Sequence, residues 1–153
     1  AALPFAYWVT GWDNLYAGQA DLNQGDTISF AHGCGKTAIL IECGSHAWPD
    51  GGKLAEQSIT AALQHFGVLA SVEQPKDLIK PIIIEPDRMA LRQPGASFTQ
   101  DWQHLDQVSA GTVLSAYSDG TPSDIAPYDC FLVIPHKDAD AGREWLYYGL
   151  RRE

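Results

Sequence analysis

Residues 37 to 48, TAILIECGSHAW, place strand-forming apolar residues beside four groups capable of chemistry: the carboxylate of Glu42, the thiol of Cys43, the hydroxyl of Ser45 and the imidazole of His46. A glutamate that closes an apolar run faces a desolvation cost if it is buried, so it needs solvent, a partner cation or a catalytic reason to be there. In open α/β sheets ligands bind in the crevice at the carboxyl ends of the strands, and Glu42, followed by Gly44, stands at such an end. On the residues alone, a functional carboxylate and a structural or solvated one both stay open for Glu42.

The groups around it do not form a nucleophile. No GxSxG elbow encloses Ser45 and no Cys–His–Asn signature accompanies Cys43, which reads as a small buried strand residue. HGCGKT at 32 to 37 lacks the first glycine of a phosphate loop, because Ser29 or Phe30 stands where that glycine is needed. The five histidines never fall into HxxE, HxH or HExxH and the three cysteines never into CxxC, so no metal ligand is assigned. His46 alone has functional weight, from its place beside Glu42. His65 reads as a helix end, His104 and His136 as loop residues, and His32 as a residue near a turn.

The elements that must position Glu42 are a strand and the helix after it. TAILIECG, apolar at both parities and bounded by GCGK and GSHAWPDGG, predicts a strand covered on both faces. DGGKLAEQSITAALQHFGVL then predicts a helix with Asp50 as N-cap, an apolar stripe of Leu54, Ile59, Ala62, Leu63 and Phe66, and Gly67 as the stop. That stripe is expected to pack on the sheet holding residues 37 to 43. Upstream, LPFAYWV reads as a short strand, GWDNLYAGQADLNQGD as loop, and DTISFAH as a brief capped helix.

Beyond EQPKDLIKP, which reads as a linker, the character changes to short strands and turn signals: PIIIEPDRMALRQ, ASFTQ, GTVLSAYSDG, DCFLVIPHK and REWLYYGLR, with turns at SDGTPSD and DADAG. The expected fold class is therefore α/β, an α/β sheet portion over residues 1–72 followed by a small all-β, barrel-like module over 76–153.

Bulk properties narrow the partners. A formal charge of -9 with ten Lys and Arg argues against nucleic acid and anionic membrane surfaces, both of which require a concentrated basic patch. Three cysteines without regular spacing suit reduced thiols and a cytoplasmic location. No stretch reads as a membrane span or a leader. The sequence opens AALPFAYW without a methionine, which points to a portion of a longer gene product.

ILIECGSHAW with the helix AEQSITAALQHFGVL resembles the catalytic-glutamate segment of the succinylglutamate desuccinylase/aspartoacylase family, zinc-dependent enzymes of carboxypeptidase-like fold. AGTVLSAYSDGTPSDIAPYDCFLVIPHKDADAGREWLYYG resembles that family's C-terminal β module, including an AP-x-D segment, and the likeness runs from about Ile28 to the end. It implies hydrolysis of an amide in a small acylated substrate such as an N-acyl amino acid. One zinc, held by two histidines and a glutamate, polarises water and carbonyl, while Glu42 matches the separate glutamate that shuttles the proton. Tyr147, in EWLYYGL, matches a substrate-contacting tyrosine near the family's chain end, with strand alternation leaving Tyr147 or Tyr148 open for that role; His46 is a further candidate contact.

The family's HxxE and later histidine are absent from these 153 residues. The resemblance therefore implies a C-terminal portion, inactive by itself, whose partner is the missing N-terminal half or a second copy. Two rival readings have different predictions. A non-catalytic module with the same architecture predicts no HxxE upstream, and a biotinyl-type carrier predicts a lysine at the hairpin tip, where SDGTPSD has none. Arg88, Arg92, Arg143, Arg151 and Arg152 all lie in the β half, and none is assigned to a substrate carboxylate.

Overall fold

The computed structural model describes residues 5–16, 26–44, 48–70 and 80–152. Its two compact units do not follow chain order: one comprises Ala1–Ala6 with Asp21–Lys80, the other Tyr7–Ala20 with Pro81–Glu153.

In the second unit the strands are β1 (Tyr7–Val9), β2 (Ile82–Leu91), β3 (Ser97–Phe98), β4 (Gln107–Val108), β5 (Val113–Ala116), β6 (Pro122–Ile125), β7 (Cys130–Val133) and β8 (Glu144–Arg152). A short helix, α1 (Trp12–Leu15), follows β1. A five-stranded mixed sheet runs β1-β2-β8-β7-β4, and β3-β5-β6 form a second, three-stranded sheet. All pairings are antiparallel except β1 on β2, where Tyr7, Trp8 and Val9 lie opposite Ile82, Ile83 and Ile84. The strands expected in the second half of the chain lie in these two sheets, together with an N-terminal strand and helix that the sequence reading placed in the 1–72 portion.

Alternation along β8 explains why its residues are apolar or aromatic at both parities. Tyr147 packs with Ile84, Phe131 and Val133, and Trp12, Leu15 and Tyr16 of the α1 region cover that cluster. Leu146 and Tyr148 pack with Leu114, Cys130 and Leu132. Trp145 stacks on Phe98, with ring centroids 4.4 Å apart, over buried Ala96 and Ala139. The Arg92 guanidinium lies 5.7 Å from the Trp145 ring and donates to the Ala139 carbonyl at 2.6 Å, tying the start of one loop to the next.

Both turn signals form turns. Gly120, at φ 85, closes the first, with the Tyr117 amide donating to Thr121 and the Asp119 carboxylate accepting from the Thr121 amide. SDGTPSD nevertheless contributes a strand as well, since β6 begins at Pro122, inside the stretch read only as a turn.

In the first unit, α2 (Thr27–Gly33) is capped by Asp26, whose carboxylate accepts from the Ile28 and Ser29 amides at 2.8 Å each. Helix α3 (Gly51–His65) starts and stops where the sequence predicts, but Asp50 makes no side-chain cap bond. The predicted strand is a correction. Residues 36–44 have no regular secondary structure, Ile39 and Leu40 are exposed, and the stripe residues Ile59 and Phe66 are exposed as well. A strand needs a ladder, and among the described residues nothing pairs with this segment. The predicted linker and His46 fall largely or wholly outside the described residues.

A Cβ at Gly149 would overlap Ile84 Cγ2 and stand 3.0 Å from Val133 Cγ2. Gly149→Ala is thus expected to overpack the contact between β2, β7 and β8 and to destabilise the chain by about 1–3 kcal/mol. A lowered urea midpoint at unchanged slope is the expected result; an unchanged midpoint would show that the strands part without cost.

Candidate functional site

Glu42 lies in the first unit and is exposed to solvent. No hydrogen bond or ion pair holds it among the described residues. The backbone around it is tightly determined. Gly44 has φ 91, and a Cβ there would meet Trp48 Cε3 at 2.7 Å, so the indole lies directly over the glycine. A Cβ at Gly51 would meet the Cys43 carbonyl oxygen at 2.9 Å, so α3 begins hard against the segment carrying Glu42. Cys43 is half-buried, its thiol 3.8 Å from the Ile41 carbonyl oxygen. Residues 45–47, including Ser45 and His46, lie outside the described residues.

Tyr147 lies in the second unit. It is buried, and its hydroxyl is 2.6 Å from that of Tyr16, which donates to Glu144 Oε1 at 3.0 Å. With the Tyr16 proton directed to Glu144, the Tyr147 hydroxyl is the donor to Tyr16. Trp12 meets the Tyr147 ring edge-on at 5.0 Å. Burial, then the Tyr16 hydrogen bond, pushes the Tyr147 phenol far above its ordinary range. Tyr148 is no less engaged: it donates to Asp124 Oδ2 at 2.5 Å on the other face of β8. Tyr147 and Tyr148 are both buried, on opposite faces of β8.

Tyr128, in the APYD segment, donates to Asp87 Oδ2 at 2.5 Å and stands edge-on to Tyr148 at 6.4 Å. Burial raises the phenols of Tyr128 and Tyr148 and also the Asp124 carboxyl, the last only partly offset by the Tyr148 hydrogen bond. Burial likewise pushes the Cys130 thiol up to about 11. The phenol–carboxylate pairs Tyr16–Glu144, Tyr128–Asp87 and Tyr148–Asp124 join positions 128, 41 and 24 residues apart, which no local pattern could reveal.

Among the other residues considered from sequence, His65 is exposed and meets Phe66 edge-on. His104 Nδ1 accepts the Ile134 amide proton at 3.0 Å, helping to hold that β-branched residue at φ 48. Arg152 pairs with Glu85 at 2.6 Å on the surface. Among the described residues no group of three or more His, Cys, Asp and Glu is placed to hold a metal ion.

No protein-family model and no curated protein matches the sequence. Solved structures do. The product-bound ectoine utilization protein EutE (DoeB) from Ruegeria pomeroyi aligns over 97% of this chain with a TM-score of 0.69 at 16% identity. This chain has part of the EutE fold. It spans 46% of the EutE chain. Succinylglutamate desuccinylase from Vibrio parahaemolyticus aligns over 77% of this chain and 33% of its own, with a TM-score of 0.49 at 18% identity.

Two outcomes follow from the buried carboxyl and phenols. A carboxyl whose folded value is raised contributes stability below its ordinary 3.8 that is lost as pH rises through the folded value, so charged Asp124 is a burden at neutral pH. Asp124→Asn, which keeps an acceptor for Tyr148, is expected to unfold no earlier than the parent at pH 7 and to lose any advantage below pH 3.8; an earlier midpoint at pH 7 would refute this. The phenols of Tyr16, Tyr128, Tyr147 and Tyr148 are raised from 10.0, so their stability is full below pH 10 and is lost above it. Their tyrosinate absorbance should appear together with loss of circular dichroism, not before it.

Proposed function

We propose that this chain is part of a hydrolase that cleaves the amide bond of an N-acyl amino acid or a related small acylated substrate, with Glu42 as general base and then general acid. The observation that carries the reading is a conjunction. The chain shares nearly all of its fold with part of EutE, and Glu42 is an exposed carboxylate on a backbone tightly turned by Gly44, Trp48 and Gly51. EutE was solved with product bound, which supports a small-molecule substrate for the reading.

The chemistry assigned to this chain is a proton transfer at one atom pair. A Glu42 carboxylate oxygen takes a proton from the attacking water and delivers it to the leaving amine nitrogen, so one group serves both halves of the reaction. Exposure lets water reach it, and close contacts at Gly44 and Gly51 hold the backbone beside it. The zinc implied by the resemblance does not fit the described residues, which bring together no ligand set. The reading therefore takes any metal ligands from outside the described residues. Tyr147 fits a structural role better than a substrate contact, because its hydroxyl is already engaged with Tyr16. A cytoplasmic location belongs to the same reading, in keeping with three free thiols.

Glu42→Gln, made in the hydrolytically active protein that contains this chain, should leave metal content and circular dichroism unchanged and lower turnover by about 2–4 orders of magnitude. Near-normal turnover would remove Glu42 from the chemistry and favour a non-catalytic binding module.

A further inference from the structure

The pairings of the five-stranded sheet set Gln107, Phe131 and Gly149 in one cross-strand row. Residues two positions along share the same face, and these are Ser109 and Asp129, just beyond the ends of β4 and β7, and Arg151 of β8. Phe131 belongs to the apolar cluster with Ile84, Val133 and Tyr147, whereas the neighbouring row is polar and charged. A cavity of about 310 Å³ opens where the two rows meet, and Gln107, Ser109, Asp129, Phe131 and Arg151 all line it.

Two opposite charges face this cavity, and among the described residues neither is neutralised by a partner. Arg152 shows the contrast: its guanidinium meets Glu85 at 2.6 Å, whereas Arg151, sent to the other face by alternation, makes no ion pair or hydrogen bond among those residues. The Asp129 carboxylate is held by one bond, the Ala110 amide donating to Oδ1 at 2.8 Å, which leaves its second oxygen available as an acceptor. Asp129 and Arg151 are both exposed, line one cavity, and do not close on each other.

We propose that this cavity is a binding site for a small aliphatic zwitterion, an amino group joined to a carboxylate by a short carbon chain. The ligand's carboxylate meets the Arg151 guanidinium, whose planar fork suits two parallel hydrogen bonds, and its ammonium meets the second oxygen of Asp129. Gln107 and Ser109 add neutral hydrogen-bonding groups, and Phe131 offers an apolar wall to the carbon chain. A simple anion is repelled by Asp129 and by the chain's charge of -9, and a simple cation by Arg151. A zwitterion carries no net charge and satisfies both residues. The inference rests on this cavity of the second unit and not on the proton transfer assigned to Glu42.

Amide NMR of the 153-residue chain, titrated with glycine, γ-aminobutyrate and ε-aminocaproate, tests it. At least one of these should shift the amides of 107–110, 129–131 and 149–151 saturably, with a Kd of about 1 mM or below. Acetate and methylamine should bind at least about tenfold more weakly. Arg151→Gln and Asp129→Asn should each weaken the zwitterion by about tenfold or more and keep the parent's melting temperature, because both side chains are exposed and Asn retains an acceptor for the Ala110 amide. Should Asp129→Asn melt earlier, Arg151→Gln alone decides. Acetate binding as tightly as the zwitterions would make the cavity an anion site, and methylamine doing so would make it a cation site. Either outcome, no saturable shift with any zwitterion, or undiminished affinity in Arg151→Gln overturns the proposal.

Discussion

The pairing of β8 between β2 and β7 is the constraint on which the second unit depends. Glu144 to Arg152 run antiparallel to Ile82 to Leu91 on one side and to Cys130 to Val133 on the other, so β8 has no free edge over its core length. Close approach at the centre is possible because Gly149 has no side chain where Ile84 and Val133 converge. Pro86, opposite Gly149, donates no amide, and the register shifts between Pro86 and Arg88, so the ladder absorbs the proline through an irregularity. Each face of β8 then nucleates a different cluster. Tyr147 gathers the α1 region on one side, and Leu146 and Tyr148 gather Leu114 of the smaller sheet on the other. Both apolar clusters are thus anchored by alternate residues of a single strand.

The tyrosines of that strand show how a fold can hold polar groups inside without leaving them unpaired. Tyr147 and Tyr148 each bring a hydroxyl into a buried setting, and each finds an oxygen from a distant part of the chain. In both cases burial and hydrogen bonding act together to keep the phenol protonated. The result is structural specificity: Tyr148 fixes Asp124 of β6 against β8, and Tyr147 fixes Tyr16, just beyond α1, over the same strand's opposite face.

How legible this was depended on whether the signal was local. The strands β2, β3, β5, β7 and β8 follow from runs of β-branched and aromatic residues between turn residues, and α2 and α3 from cap and stripe. Two-residue β4 carries no such run, and β6 begins with a proline directly after a turn. The parallel pairing of Tyr7–Val9 with β2 joins residues 75 positions apart, which periodicity cannot announce. TAILIEC failed for the opposite reason. Its propensity for strand is strong, but a strand is a pairing and not a property of one segment, and the described residues contain no mate for it. At the candidate site, Glu42 was visible as an anomalous charge in an apolar run. The phenol–carboxylate pairs of the other unit were not, because their halves meet only in three dimensions.

Two carboxylates bring out the division of labour. Asp124 is withdrawn from water and its proton affinity is raised, yet its environment is occupied by Tyr148 and it serves the packing of strands. Glu42 is in water, on a backbone held by two close glycine contacts, and no described neighbour excludes solvent from it. A carboxylate that takes a proton from water and returns it to an amine works best where its surroundings tune its affinity between those tasks. Fixing the backbone and tuning the affinity are separable requirements. This chain fixes the backbone beside Glu42 through the close approach of Trp48 to Gly44 and of the Cys43 carbonyl to Gly51.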